Sequence, residues 1–417
     1  MDDGERLYRR EFGRLVGALT RIFGLANLAL AEDVVQDTFC HAMEVWKLRG
    51  VPENPSAWLM TAAKNRTIDV LRRERTARNV LPELGALLAS EWTLVPTVSG
   101  FFNLETIRDD ELRMMFSCCD PELADATQIA LTLNVVCGFT AAEIASNLLS
   151  RRPAIEKRIE RGKKTLADSK RLFDLSNGEF PARLTAVQRV IYLLFNEGYH
   201  GSARAAVRVE LCREAMRLGS LLLENPLVAT PASYALCAMM SFHAARLPAR
   251  VDGSGDLVPL FEQDRTRWDG TLIAAGVRFL EYASSGTGAS DYHLEAAIAA
   301  VHCAASTAED TDWSRIVWLY DLLMERIPSP VVALNRAIAI AYRDGPQEGI
   351  DAITAIADSD RLQAYPFYSA ALGELELRAG HAAEARKHFE AALLLARNTM
   401  ERRHLEKRMT SIERGDP

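Results

Sequence analysis

The sequence predicts an all-α fold, with two small helical domains followed by a larger array of α-hairpins. Three observations predict it. Apolar residues recur at helical spacing along nearly the whole chain, and stretches of period-two alternation are few. Gly and Pro interrupt the helical runs at short intervals, where helix ends belong. At 417 residues the chain is too long for one compact core, so two or three domains are expected. Their expected bounds are 1–77, a linker over 78–106, then 107–174 and 175–417.

Composition narrows the classes. Hydrophobic residues at 48% and charged residues at 25% are those of an ordinary globular protein. A formal charge of −7 excludes a protein that coats nucleic acid indiscriminately; a nucleic-acid site must be a local basic patch on an acidic body. The cysteines (Cys40, Cys118, Cys119, Cys137, Cys212, Cys237 and Cys303) lack CxxC spacing and sit mostly in apolar helical runs. Free buried thiols in a reducing compartment are therefore expected. The opening residues lack a signal-peptide core and no apolar run reaches about 18 residues, so the expected location is the cytoplasm, with no membrane partner.

Glu5 to Phe23 is predicted as a first amphipathic helix and Ala29 to Leu48 as a second. On the second, Ala31, Val34, Thr38 and Val45 share one side, and Asp33, Gln36, Asp37, Cys40 and Glu44 form an acidic stripe opposite. Such a stripe is a solvated face or a dock for a basic partner. Pro52, Pro55 and Ser56 break the chain and cap a third helix that runs to about Arg75. At about 100° per residue, Leu59, Ala63 and Val70 point one way while Thr61, Asn65, Asp69 and Arg72 gather on another face. Those side chains hydrogen-bond bases and phosphates, and Arg73, Arg75 and Arg78 follow with little acid between them. A solvated amphipathic helix is the alternative.

Residues 78–106 carry Pro82, Pro96 and Gly100 without a sustained period, as a linker does. Thr127 to Cys137 is then an apolar helix ending at Gly138, a C-cap residue. Thr140-Ala-Ala-Glu143 is a capping box that opens a short helix, with Ile144 and Leu148 inward. After Ser150-Arg151-Arg152, Pro153 suits a first helical turn. The next helix runs to about Lys170, with Ile155, Ile159 and Leu166 buried, Lys157, Arg161 and Lys164 outward, and Arg158 at the flank. This is the helix-turn-helix order, with Ala154–Lys164 as recognition helix. Beyond about Leu175, apolar helices are predicted at 187–195, 205–223, 232–245, 271–283, 294–305, 316–324 and 331–342. Leu372-Gly373, Gly380, Ala385, Phe389 and Ala392 match the small/large spacing of a tetratricopeptide helix pair, with a poorer copy around Gly345.

The sequence holds no Gly-rich phosphate loop, HExxH or GxSxG, and His200, His243, His293 and His302 lack metal spacing. No catalytic residue, metal or cofactor is expected. Three polar-aromatic runs stand out: Phe195-Asn-Glu-Gly-Tyr199, Glu262 to Asp269, and Asp310-Thr-Asp312-Trp313. Caps and buried ion pairs account for such runs, as with Asp312 capping the N–H of Arg315. The functional alternative is a regulatory pocket built on Asp264, Arg265 and Trp268.

The motif order resembles a known family. Ala31-Glu-Asp33-Val-Val-Gln36-Asp37-Thr-Phe39 with Trp46, then Pro55, Trp58 and Leu59, then Asn65-Arg66-x-x-Asp69-x-x-Arg72-Arg73, looks like region 2 of bacterial extracytoplasmic-function (ECF) sigma factors. The segment Thr140–Lys164 looks like their region 4. Phe195–Tyr199, Gln263-Asp264-Arg265-x-x-Trp268 and Thr311-Asp312-Trp313 resemble the subgroup with a long tetratricopeptide-like, DUF6596-type C-terminal extension.

The resemblance implies a transcription initiation factor that is not an enzyme. Asp33, Gln36 and Asp37 would dock on the clamp helices of core RNA polymerase, since carboxylates are buried favourably only against a basic surface. Trp58, Thr61, Asn65, Arg66, Asp69, Arg72 and Arg73 would recognise and open the −10 promoter DNA. Arg152, Lys157, Arg158, Arg161 and Lys164 would engage the −35 major groove. The basic Ser150-Arg-Arg-Pro153 turn departs from the family pattern and bears on the −35 preference. The fused C-terminal domain would be an intramolecular regulator. Two rivals compete with this reading: a ligand-sensing helix-turn-helix regulator that does not bind core polymerase, and an enzyme with a DNA-binding domain attached.

Overall fold

The computed structural model describes residues 3–74, 104–147, 150–168, 179–200 and 207–414, except 287, 358, 364 and 397. Among these residues the chain is helical, and its β content is one isolated bridge, Val251 to Leu257. It divides into two compact units, Met1–Leu194 with Glu224–Val228, and Phe195–Leu223 with Ala229–Pro417.

The first unit holds α1 (Asp3–Phe23), α2 (Leu28–Arg49), α3 (Pro55–Glu74), α4 (Leu104–Cys118), α5 (Asp125–Val135), α6 (Ala141–Asn147), α7 (Arg152–Asp168) and most of α8 (Glu179–His200). α1 is its spine. Phe12, Leu15, Val16, Leu19, Ile22 and Phe23 are buried at helical spacing, and α1 packs on α2, α3 and α4. Gly13 makes the closest approach: a Cβ there would lie 2.0 Å from the carbonyl oxygen of Val136. Two carboxyl side chains of α4, Asp110 and Glu111, are fully buried and face arginines of α1. Arg21 Nη1 meets Asp110 Oδ1 at 2.9 Å, and Arg14 Nε lies 3.6 Å from Glu111. Charge pairing of this kind makes burial of a carboxylate tolerable.

The turn and caps between α5 and α7 form as their local signals predict. Gly138 takes a left-handed φ of 67° after α5. Glu143 N–H donates to Thr140 Oγ1 at 3.2 Å, and Glu143 Oε2 accepts from Thr140 N–H at 2.8 Å. α7 then buries Ile155, Ile159, Gly162 and Leu166 against α5 and α6. α8 closes the unit through Phe180, whose ring meets Phe116 edge-on at 4.9 Å, and through Arg183, which ion-pairs with Asp120 at 2.7 Å.

The second unit continues with α9 (Val209–Glu224), α10 (Pro231–Ala245), α11 (Gly270–Ala283), α12 (Asp291–Ala304), α13 (Trp313–Arg326), α14 (Pro330–Arg343), α15 (Pro346–Thr354), α16 (Pro366–Arg378), α17 (Ala382–Leu395) and α18 (Thr399–Arg414). Successive helices share successive cores. Leu294, Ile298, Ile316, Leu319 and Leu323 form one, Leu334, Ala337, Ile350, Ile353 and Leu372 the next, and Ala385, Phe389, Ala392 and Leu405 the last. Gly373 shows why the small/large spacing matters, since a Cβ there would lie 2.9 Å from the Phe389 ring.

Several expectations are corrected. α4 begins at Leu104, inside the span expected to be linker, and α8 covers Glu179–His200 rather than 187–195. Val70 is only half-buried; the inner stripe of α3 is Leu59, Ala63, Thr67 and Leu71, with Ile68 beside it. Val45 is likewise half-buried. Residues 75–103, which hold Arg75, Arg78, Pro82, Pro96 and Gly100, lie outside the described residues, as do Leu148 and Leu175.

Candidate functional site

Two surfaces of the first unit carry most of the residues singled out by sequence. On α2, Ala31, Val34, Val35, Thr38, Phe39 and Ala42 are buried, which turns Asp33, Gln36 and Asp37 to solvent. On α3 the inner stripe leaves Thr61, Asn65, Arg66 and Asp69 exposed. The two sets meet: Arg66 Nη2 donates to Asp37 Oδ2 at 2.6 Å. Trp58 is half-buried against α2, 5.4 Å edge-on to Trp46 and 5.8 Å from the His41 ring. α3 is opened by a cap the sequence reading missed, Asn54 Oδ1 accepting from Ala57 N–H at 3.0 Å. Ser56, expected to cap, instead donates its hydroxyl to Glu11 at 2.9 Å. The backbone of Arg72 and Arg73 belongs to α3, and their side chains lie outside the described residues.

The second surface is α7. Lys157, Arg161 and Lys164, spaced by four and three residues, are exposed on the side away from Ile155, Ile159 and Leu166. Arg158 is half-buried, and Arg152 pairs with Glu156 at 2.8 Å in the exposed first turn. Lys163, not among the expected residues, reaches both carboxylate oxygens of Glu32 on α2 at 2.7 Å.

In the second unit, Asp264, Arg265 and Trp268 sit in three different environments. Asp264 is exposed and caps the turn Arg265–Arg267, accepting from Thr266 N–H at 2.9 Å. The Thr266 hydroxyl, donating to the same oxygen at 2.6 Å, and then the N–H hold its carboxyl below the usual range. Arg265 is held by protein groups, donating to the carbonyls of His302 and Ala305 at 2.9 and 2.7 Å and to Thr311 Oγ1 at 3.1 Å. Trp268 is buried, with Arg265 stacked over its ring at 4.9 Å. Asp312 does cap α13, through the N–H of Arg315 at 2.9 Å. Among the described residues no group of three or more His, Cys, Asp or Glu side chains is placed to hold a metal ion, and no helix is long and apolar enough to cross a membrane.

Comparison with known proteins gives this geometry a family. Residues 7–77 match sigma-70 region 2, and residues 183–284 match a family of unknown function, DUF6596. An uncharacterised protein of Rhizobium meliloti is 36% identical over 401 residues, 95% of this chain and 93% of that protein. The ECF RNA polymerase sigma factor SigK of Mycolicibacterium vanbaalenii is 27% identical over 164 residues, 38% of this chain and 77% of its own length. SigK of Mycobacterium ulcerans is also 27% identical, over 152 residues, 34% of this chain and 74% of that one. No solved structure matches the chain. A region 2 bundle on a chain akin to these proteins defines the class: a sigma factor, which binds core RNA polymerase for transcription initiation and is not an enzyme. The chain thus carries a sigma-70 region 2 domain at its N-terminus and a DUF6596 segment beyond it, and its N-terminal part is distantly similar to extracytoplasmic-function sigma factors.

Proposed function

We propose that the chain directs core polymerase to promoters through the α2–α3 surface and α7, and that its C-terminal extension, a tetratricopeptide-type array, sets that activity. In this reading Asp33, Gln36 and Asp37 dock on polymerase. Trp58, Thr61, Asn65, Arg66, Asp69, Arg72 and Arg73 bind and open the −10 DNA. Arg152, Lys157, Arg158, Arg161 and Lys164, on region 4, grip the −35 duplex. The observation that carries the reading is the common placement of the α2 and α3 sets on exposed faces above one buried spine, joined by the Arg66–Asp37 pair. A partner that takes Asp37 leaves the Arg66 guanidinium available to a phosphate, so polymerase docking prepares the DNA face.

The test is run-off transcription with core polymerase on a mapped promoter. Asp37→Lys is expected to abolish co-purification with polymerase, whereas Lys157→Ala with Arg161→Ala should keep it and lose the −35 dependence. Control by the extension is tested with a chain ending at His200, because Phe180 and Arg183 complete the first unit. Unchanged output from that chain would refute a regulatory extension.

A further inference from the structure

Six polar side chains of the second unit crowd together and leave hydrogen-bonding atoms unused. Tyr199 comes from α8, His243 from α10, Arg246 and Arg250 from the two ends of the turn Leu247–Ala249, Trp268 from the end of the turn Arg265–Arg267, and His302 from α12. The Tyr199 ring lies 5.1 Å from His243, with the Arg250 guanidinium 4.0 Å from its centroid. The Arg246 guanidinium lies 5.9 Å from Tyr199 and 5.7 Å from Trp268. Tyr199, Arg246, Trp268 and His302 are more than nine-tenths buried. Tyr199 Oη, His243 Nδ1, Arg246 Nε, Arg250 Nε, Trp268 Nε1 and His302 Nδ1 are all buried without a hydrogen-bond partner.

Arg246 decides what this arrangement is for. A guanidinium does not give up its proton, so burial cannot be relieved by neutralisation. The groups that act most on its charge are Tyr199, Arg250, Cys303 and Tyr320, none of them a carboxylate. The aromatic faces attract the cation but offer no acceptor, and Arg250 adds a second positive charge. Two other arginines show what a satisfied one looks like. Arg183, equally buried, ion-pairs with Asp120 at 2.7 Å, and Arg265 spends its N–H groups on two carbonyls and a hydroxyl. Water could occupy the orphan donors; it could not balance the charge.

We propose that these residues form a binding site for a small molecule bearing a carboxylate or phosphate group. The oxyanion would lie between Arg246 and Arg250 and accept from Tyr199 Oη and Trp268 Nε1, a donor-rich and acceptor-poor lining that fits an anion. Burial and the flanking arginines keep both imidazoles uncharged, with His302 pushed down to about 3, so they offer direction and not charge. Five of the six residues fall in the DUF6596 match. Binding at this site is independent of the polymerase and promoter reading.

The test uses the full chain in calorimetric titration and thermal unfolding, with inorganic phosphate in one arm, succinate in another, and sodium chloride at matched ionic strength as blank. Saturable one-to-one binding is expected in at least one arm, and the responding arm tells phosphoryl ligands from carboxylic acids. Arg246→Gln should weaken binding at least tenfold and, without anion, raise the melting temperature, because it removes an uncompensated buried charge. Trp268→Phe and Tyr199→Phe delete one donor each, should fold as the parent, and should weaken binding severalfold; they carry the test if Arg246→Gln does not fold. No saturable binding above chloride in either arm overturns the site. So does affinity that survives these substitutions, or an anion-free Arg246→Gln chain less stable than the parent.

Discussion

Asp37 and Arg66 touch at 2.6 Å yet stay 58% and 43% exposed. A pair this wet is worth about 0–1 kcal/mol, so Asp37→Ala is expected to leave the urea midpoint nearly unchanged. The same substitution should cost core-polymerase affinity at least tenfold by fluorescence anisotropy; a matching fall in stability would instead mark the residue as structural. Buried histidines behave in the opposite way. His243 and His302 are held neutral by burial and neighbouring arginines. In the unfolded chain they take up protons near the ordinary 6.5, whereas folded His302 does so only near 3. Below pH 6.5 the unfolded state therefore binds more protons, and stability falls as pH falls, by up to about 1.4 kcal/mol per pH unit for each ring. Above pH 6.5 neither ring contributes. Urea midpoints between pH 7.5 and 5 should show this slope, and His302→Gln should flatten it; an unchanged slope would sink the assignment.

Among the elements, α6 is the clearest case of local chemistry fixing structure. It has seven residues, too few to persist alone, and both halves of its capping box are made. Thr140→Ala is expected to cost about 1 kcal/mol, read as an earlier urea midpoint, with Thr140→Ser restoring it. What is written within a few residues was legible: the capping box, the Gly138 turn, the acidic stripe on α2, and the Gly373–Phe389 fit. What depends on distant partners was not. Nothing local in α4 shows that Asp110 and Glu111 are buried, because the arginines that pair with them lie about ninety residues earlier. Lys163 gave no local sign of meeting Glu32. The aromatic runs of the extension marked Tyr199 and Trp268, but Arg246-Leu-Pro-Ala-Arg250 carries no pattern that distinguishes buried arginines from solvated ones.

At the scale of the whole first unit, the packing of 3–74 against 104–168 limits what the free protein can do. Arg21 to Asp110, Arg14 to Glu111, Lys163 to Glu32, and Gly13 against Val136 all cross between these segments. A compact body of this many residues is roughly 40 Å across. The −10 and −35 elements lie roughly 25 base pairs apart, on the order of 80 Å at about 3.4 Å per step. If α3 reads one and α7 the other, as proposed, the unit must open between them when both are engaged. Opening is feasible because the crossing ion pairs involve side chains partly in water: Arg21 is 38% exposed and Lys163 28%. The chain supplies one label site of its own. Cys40 is exposed, Cys303 is half-buried, and Cys118, Cys119, Cys137, Cys212 and Cys237 are buried; burial pushes Cys119, Cys212 and Cys237 up to about 12 and Cys303 to about 11. The thiolate is what reacts, so dyes should go to Cys40 and to a second cysteine placed at exposed Glu160 on α7. Energy transfer between them should be high in the free chain and fall on adding core polymerase with promoter DNA. Arg21→Glu, which sets like charges against Asp110, should lower it before any partner is added. Transfer that stays high in a transcribing complex would show that the two segments never separate, and the division of labour between α3 and α7 would fail with it.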